Sequence, residues 1–473
     1  MNVLLIQPPD PPLPMLPFEP PSGTSRMFSP PWNLLCLRAY LLERTRHGGS
    51  FLDCRFFDDL EAGLTEAIRT TPDLGAAVVN TATLALGQAA AVVEIIKRSF
   101  PAVKTVLCGQ HPSQFPDHVG AMPRVDFSLA GDPEPILRNL LDCLDVEARL
   151  RRVPGLVRSG GDPVAPYWLT DLKALSLPDW QGVFWGGYRV GSAGSVCRAS
   201  VRLSRGHTHV PADRAFGENH EPLRFWPLDR MASVIQRCTG MGVSEVFLAD
   251  PPGIWTPERL DQWCALLDTN RNAVPWSLQL LPTLLGDDTV GAMQAAGCRR
   301  VEFLFPSCDP EVLERYGCVV RPRDVADTLA SLRASGIGAH ARFWIGGPEE
   351  RHGAADRTAR TIRALGFPPF SLHPFPLALD SPIYQDYFES SATHLDQWVQ
   401  WSRDPWMFER PVSLWGGSSD APLIEQEFDT IVRAVQRSPS RLVHRALDHL
   451  KLKPVLSAME EKVLSVVAPR LRK

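Results

Sequence analysis

Val201-Arg202-Leu203-Ser204-Arg205-Gly206-His207-Thr208-His209-Val210-Pro211-Ala212-Asp213-Arg214 is the stretch that decides how the chain is read. Val201-Arg202-Leu203 reads as an apolar strand, Arg205-Gly206 as the turn that ends it, and the residues from His207 to Arg214 are mostly polar and include no cysteine. The same unit recurs downstream. Strands are predicted near Val201–Leu203, Glu245–Ala249, Ser277–Leu281, Arg300–Phe305, Ala341–Ile345 and Ser371–Phe375. Helical spacing is found over Leu228–Thr239, Pro257–Asp268, Asp287–Ala296, Pro310–Tyr316, Pro322–Ser335 and Ala354–Leu365. Six strand–helix steps predict an open (β/α)6 barrel over residues 201–385.

Upstream, residues 1–145 also alternate. Val3–Gln7, Cys54–Asp58, Ala76–Asn80, Thr105–Cys108 and Phe127–Ala130 read as strands, and Leu34–Glu43, Leu86–Phe100 and Glu134–Leu144 as helices. The pattern predicts an α/β fold with a doubly wound, Rossmann-like parallel sheet. Ligands of such sheets sit beyond the carboxyl ends of the strands. Those ends read Gln7-Pro8-Pro9, Asp58-Asp59, Asn80-Thr81, Gly109-Gln110-His111 and Gly131-Asp132. Residues 146–200 are Pro/Gly-rich and read as a linker with little order of its own, and residues 386–473 as a helical C-terminal region with Trp398, Trp401, Trp406 and Trp415.

Length and composition narrow the function. A chain of 473 residues accommodates two or three domains. Its net charge of −4 and the lack of a long Lys/Arg run point away from nucleic acid and toward a small-molecule substrate. Met1–Ile6 has no basic lead, and no run approaches the ~20 apolar residues of a spanning helix, so a cytoplasmic protein without membrane association is expected. The ten cysteines form no C-x2-C or C-x3-C pair and read as buried small hydrophobes.

Several turns, taken in order, carry a resemblance. They are Pro8-Pro9, Pro30-Pro31-Trp32-Asn33-Leu34, Gly109-Gln110-His111-Pro112, Gly131-Asp132-Pro133-Glu134, and a linker running from Pro154-Gly155-Leu156 to Leu177-Pro178-Asp179-Trp180. Over roughly residues 1–385 the chain resembles the cobalamin-binding-domain class of the radical S-adenosylmethionine superfamily. The resemblance implies cobalamin in the N-terminal half and a [4Fe–4S] cluster in the barrel, held by three cysteines after the Arg-Gly turn. Here those positions are His207, Pro211 and Arg214, and neither proline nor a guanidinium replaces a thiolate, so no iron–sulfur cluster is expected. The family's Gly-x-Glu-Ser pattern, which helps seat S-adenosylmethionine, corresponds to Leu304-Phe305-Pro306-Ser307, which puts that ligand in doubt. The fifth-strand turn survives in part as Ile345-Gly346-Gly347-Pro348-Glu349-Glu350.

The candidate cofactor-binding residues are Gln7, Pro8, Asp58, Asn80, Thr81, Thr83, Gly109, Gln110, His111, Gly131, Asp132 and Glu134. The bland alternative is that Thr81, Thr83 and His111 cap the helices after β-strands three and four. No Asp-x-His-x-x-Gly string occurs, so His111 is not expected to ligate cobalt. In the barrel, Glu302, Arg342, His340 and His373 are the catalytic candidates, with Glu302 facing inward and pairing with Arg202 or Arg342, as acid/base machinery or as a structural ion pair. His207, His209 and Asp213 are of metal-binding type, but the better reading is solvated loop, and the ten-residue spacing of Cys298, Cys308 and Cys318 matches no cluster motif. The functions expected are a cobalamin-dependent transferase or redox enzyme that makes no radical, or a non-catalytic corrinoid-binding partner subunit with the Trp-rich tail at its interface.

Overall fold

Short apolar runs without alternation are the pattern of parallel strands covered on both faces. The computed structural model describes residues 1–10, 29–162, 164–190, 196–206, 221–269, 274–315, 318, 320, 325–345, 353–366, 368–374, 430–431 and 433–435. Its N-terminal part runs β1 (Asn2–Gln7), α1 (Trp32–Arg44), β2 (Gly48–Asp53), α2 (Leu60–Thr70), β3 (Leu74–Asn80), α3 (Leu86–Ser99) and β4 (Lys104–Cys108). It continues through α4 (Gln110–Gln114), α5 (Pro116–Ala121), β5 (Phe127–Leu129), α6 (Pro133–Asp142), α7 (Glu147–Leu150) and β6 (Leu156–Arg158). The sheet order is β2-β1-β3-β4-β5-β6, parallel through β5, with β6 antiparallel at the edge. Leu64, Ile68, Val92 and Ile96 of α2 and α3 cover Leu4, Ile6, Ala77 and Val79 on one face. On the other, Leu34, Leu37, Leu41, Ile136 and Leu140 of α1 and α6 cover Val3, Leu5, Ala76 and Val78.

The second strand is not Cys54–Asp58 but Gly48–Asp53, paired residue for residue with β1 from Asn2↔Gly48 to Gln7↔Asp53. Glycines are tolerated there because β2 is an edge strand held by its backbone. The Asp53 carboxylate then accepts from Arg55 N, turning Cys54–Phe56 into a 3-10 helix, and Asp58 lies beyond it, exposed.

The second sheet comprises β7 (Arg189–Val190) and β8 (Val196–Val201), then, past a separate ladder of β9 (Ser204–Arg205) with β10 (Arg224–Phe225), α8 (Leu228–Gly240), β11 (Glu245–Leu248), α9 (Pro257–Thr269), β12 (Trp276–Leu280), α10 (Asp287–Ala295) and β13 (Cys298–Phe305). It ends with α11 (Pro310–Arg315), α12 (Ala326–Ala334), β14 (Gly338–Ile345), α13 (Ala354–Ala364) and β15 (Phe370–Pro374). Its order is β15-β14-β13-β12-β11-β8-β7, six successive parallel strands with an antiparallel β7 at the rim. The first barrel strand thus starts at Val196, inside the predicted linker, and Val201–Leu203 is only its end. Arg198 and Ser200 alternate with buried Cys197, Ala199 and Val201, which hides the strand from an apolar-run search. The linker also has more order than its composition suggests. It supplies β6, and the Tyr188 hydroxyl donates to Asp53 Oδ2 at 2.5 Å, tying it to the first sheet.

Helix α1 is apolar all round because it serves two cores: Leu34, Leu37 and Leu41 face the first sheet, while Trp32, Leu35, Cys36 and Tyr40 join Met231, Ile235, Trp263, Phe303 and Phe343 in the barrel core. Ile431 and Val435, fully buried, pack on the same core, and the rest of the 386–473 region lies outside the described residues. Among the described residues no helix is long and apolar enough to cross a membrane.

All ten cysteines are buried and none forms a disulfide. Burial pushes the thiols of Cys54, Cys108, Cys238 and Cys264 up to about 12, so they stay protonated and unreactive. An aromatic disulfide reagent is expected to label almost none of the ten in the native protein and all of them after unfolding in guanidinium.

Candidate functional site

The order of the first sheet reverses between β1 and β3, the point where open α/β sheets bind ligands. The side chains there are amides: Asn80 Nδ2 donates to Gln7 Oε1 at 2.9 Å, joining the two strand ends, and both residues are half-buried. Buried Pro8 continues β1 outward. Beside them β4 ends at Gly109, whose φ of 106° and close approach to Asn80 Oδ1 and Thr81 O, 2.7 and 3.0 Å from where a Cβ would stand, leave no room for a side chain. Gln110 comes next, exposed.

His111 is buried with both ring nitrogens engaged, Nδ1 with Thr83 Oγ1 at 3.1 Å and Nε2 with His118 Nδ1 at 3.0 Å. Burial, reinforced by His118, pushes its pKa down to about 3, so the ring is neutral at physiological pH. Thr81 Oγ1 donates to Val79 O and Thr83 Oγ1 to Gln114 Oε1, and the helices after β3 and β4 start without a side-chain cap. The capping alternative for Thr81, Thr83 and His111 is therefore not what these side chains do.

Gly131, Asp132 and Glu134 do not join this group. Gly131 packs against the Tyr167 backbone, Asp132 accepts from Leu169 N at 2.7 Å, and Asp132 and Glu134 are essentially unexposed. Their partners come from the β9–β10 ladder after the first barrel strand. Arg205 Nη1 donates to Asp132 Oδ1 at 2.9 Å and to Glu134 Oε2 at 3.0 Å, and Arg224 donates to Asp132, to Glu221 at 2.7 Å and to Leu169 O at 2.7 Å. Burial opposes charge on Asp132, but Arg205 and Arg224 outweigh it and hold its carboxyl below the usual range. Arg205 and Arg224 face each other across the β9–β10 ladder, which joins the two stems of the segment 207–220. His207, His209 and Asp213 fall in that segment, outside the described residues, as do Gly346–Glu350. What the turn 131–134 does is clamp the first sheet to the β9–β10 ladder, a role that buries the very carboxylates read as cofactor contacts.

In the barrel, residues alternate between the helix-side core (Val301, Phe303, Phe305; Ala341, Phe343, Ile345) and the concave face. Glu302 on that face is paired with Arg342, not Arg202, and lies in register with His340, whose Nε2 meets Ser371 Oγ at 2.9 Å. Burial lowers the pKa of His340, opposed by Glu302, which leaves a neutral imidazole beside a carboxylate. The His373 backbone pairs with Trp344 at the carboxyl end of β15, and its side chain is outside the described residues. Toward the carboxyl ends Leu304 and Trp344 are 3% and 5% exposed.

Sequence reading missed a second tier of the concave face. Arg198 and Arg300 each lie 3.0 Å from a Glu245 oxygen, and Ser277 Oγ donates to the same carboxylate. Burial works against the charge on Glu245, and the two arginines with Ser277 overcome it. The only signal was one polar residue at the same register in successive strands. Asp250, just past β11, was also missed: it takes donations from Leu203 N and from Ser204 N and Oγ at 2.6–2.9 Å, fixing the turn after β8.

No family model matches the chain. A stretch of 300 residues is 22% identical to an uncharacterised methyltransferase of Pyrococcus horikoshii, covering 61% of this chain and 63% of that protein. The chain therefore spans less than two thirds of this curated relative. Among solved structures, the radical S-adenosylmethionine methyltransferase TsrM from Kitasatospora setae, with tryptophan substrate and an S-adenosylmethionine analogue bound, superposes with a TM-score of 0.61 at 18% identity over 81% of this chain and 74% of TsrM. The cobalamin-dependent S-adenosylmethionine radical enzyme OxsB gives 0.59 at 14% identity over 84% of this chain and 56% of OxsB. The chain, with a doubly wound sheet of order β2-β1-β3-β4-β5-β6 followed by six parallel barrel strands, thus shares its fold with TsrM and OxsB.

Proposed function

We propose that the chain binds cobalamin at the β1/β3 switch point and works on a small molecule in the concave face of the barrel without an iron–sulfur cluster or an S-adenosylmethionine-derived radical. The observation that carries the first half is the Gln7–Asn80 amide pair, joined where the strand order reverses, with exposed Gln110 following the neighbouring β4. They suit a ring whose rim is itself lined with amides, and the glycine at 109 lets backbone and Asn80 lie close together. When bound, cobalamin supplies a metal able to carry a methyl group or electrons. The chain's own residues would hold and orient: Gln7 and Asn80 by hydrogen bonds, the neutral His340 by keeping a proton acceptor on the concave face, Arg342 by fixing the Glu302 side chain in an ion pair beside it.

The second half is supported by side-chain chemistry. His207, Pro211 and Arg214 cannot supply three thiolates, and Leu304 and Trp344 fill space on the concave face toward the strand ends. A second reading, a non-catalytic corrinoid-binding partner subunit, is favoured by one observation: Glu245 and Glu302 are both tied up in ion pairs. Cobalt and iron measured on one sample, after anaerobic reconstitution with hydroxocobalamin, iron and sulfide, test the proposal. About one cobalt per chain with background iron is expected, and iron near about four per chain would overturn it. Turnover by the isolated chain then separates enzyme from subunit.

A further inference from the structure

We propose that the mouth of the barrel holds an anionic group, the carboxylate or phosphate of its small-molecule ligand, on the guanidinium of Arg259. The inference deepens the proposed function and rests on its second half, that the barrel is a binding site.

Most buried cations of this chain are matched: Arg198 with Glu245, Arg205 with Asp132 and Glu134, Arg224 with Asp132 and Glu221. Arg259 is not. Its Nε and Nη2 are buried and meet no hydrogen-bond acceptor, and four residues earlier the buried Trp255 Nε1 is in the same condition. Burial pulls the guanidinium pKa down, against the attraction of Asp250. Asp250 acts on Arg259 without touching it, its carboxylate being turned to Leu203 N and to Ser204 N and Oγ. Arg259 sits in the first turn of α9, where the helix dipole adds to the cost of a cation. Arg259 as a whole is half-buried, and N–H groups of a cation left without an acceptor are costly, so the remaining exposed edge of the group calls for a partner that arrives from outside.

The geometry says which partner. The guanidinium carbon stacks 3.9 Å from the centre of the Phe225 ring. Stacking engages the face of the group and leaves its in-plane N–H fork for a planar or tetrahedral oxyanion. Phe225 lies past the turn after β8, and Arg259 past β11, so both stand at the carboxyl ends of the first two barrel strands, where barrel sites are assembled. Arg202, exposed at the end of β8 and acting on Asp250, adds a second positive charge to the same mouth.

Inorganic phosphate is the probe, and thermal melting of the full-length chain the readout. At phosphate ten times its Kd the wild type is expected to gain about 3 °C. Arg259→Met should abolish that gain, and Arg259→Lys, which lacks the planar fork, should weaken phosphate binding at least about fivefold by calorimetry. Arg360→Ala, on the exposed basic face of α13, should respond as wild type, which discounts general surface binding. Absence of a phosphate response in the wild type, or an equal response in Arg259→Met, overturns the proposal. Cobalamin uptake measured on the same variants keeps the two readings apart: Arg259→Met should retain it, and its loss in the wild type would sink the corrinoid assignment while leaving the phosphate result to stand or fall alone.

Discussion

Arg205→Ala is expected to cost the folded chain about 3–5 kcal/mol, with a corresponding fall in the urea midpoint. The reason is what the substitution leaves behind. Asp132 and Glu134 are at 1% and 0% exposure, and Arg205 is the partner of both. Without it Glu134 must be protonated or stay charged in a dry site, and Asp132 keeps Arg224 and the Leu169 N–H. Because these ion pairs join the first sheet to the ladder after β8, the loss should appear as earlier separation of the barrel from the first sheet, read by tryptophan fluorescence. Arg205→Met with Glu134→Leu tests the cause: removing both members leaves Asp132 with Arg224, and stability should return to within about 1–2 kcal/mol of wild type. A single-variant loss below about 1 kcal/mol would mean that water reaches the cluster and the clamp is weak.

That clamp shows where sequence reading stops. The alternation of strands and helices was legible because each parallel strand is an apolar run of its own, as in Ala76–Asn80 or Thr105–Cys108. It failed where tertiary structure decides: Gly48–Asp53 is a strand through pairing with β1, and Val196–Val201 because its polar residues face the concave side. At the site, Gln7, Asn80 and Gly109 were found because they end strands. Asp132 and Glu134 follow a strand too, in the turn and first helical residues after β5, and nothing local distinguishes them. Their fate is set by Arg205, 73 and 71 residues away in sequence, and no pattern within one segment encodes such a pairing. The inward Glu302 was legible from alternation, while its choice of Arg342 over Arg202 depended on which strand lies beside it.

Acid should destabilise this protein through His111, and the direction comes from its burial. In the unfolded chain the imidazole takes a proton near its ordinary pKa of 6.5, whereas in the folded chain protonation waits until about 3. Between those values the unfolded state binds more protons, so stability is full above about 6.5 and falls as the pH drops toward 3. At about 1.4 kcal/mol per pH unit, going from 6.5 to 4 should remove roughly 3 kcal/mol through this one group. His111→Gln keeps a polar side chain for Thr83 and His118 but cannot titrate, so its stability should be lower at pH 7 by about 1–2 kcal/mol and flatter below 6.5. The same variant decides the role of the ring at the candidate corrinoid site. With both nitrogens occupied, His111 has none to offer cobalt, so His111→Gln should retain hydroxocobalamin with an unchanged visible spectrum. A spectrum that shifts with the substitution would place the imidazole on the metal, and would require the Thr83 or His118 hydrogen bond to break when the corrinoid binds.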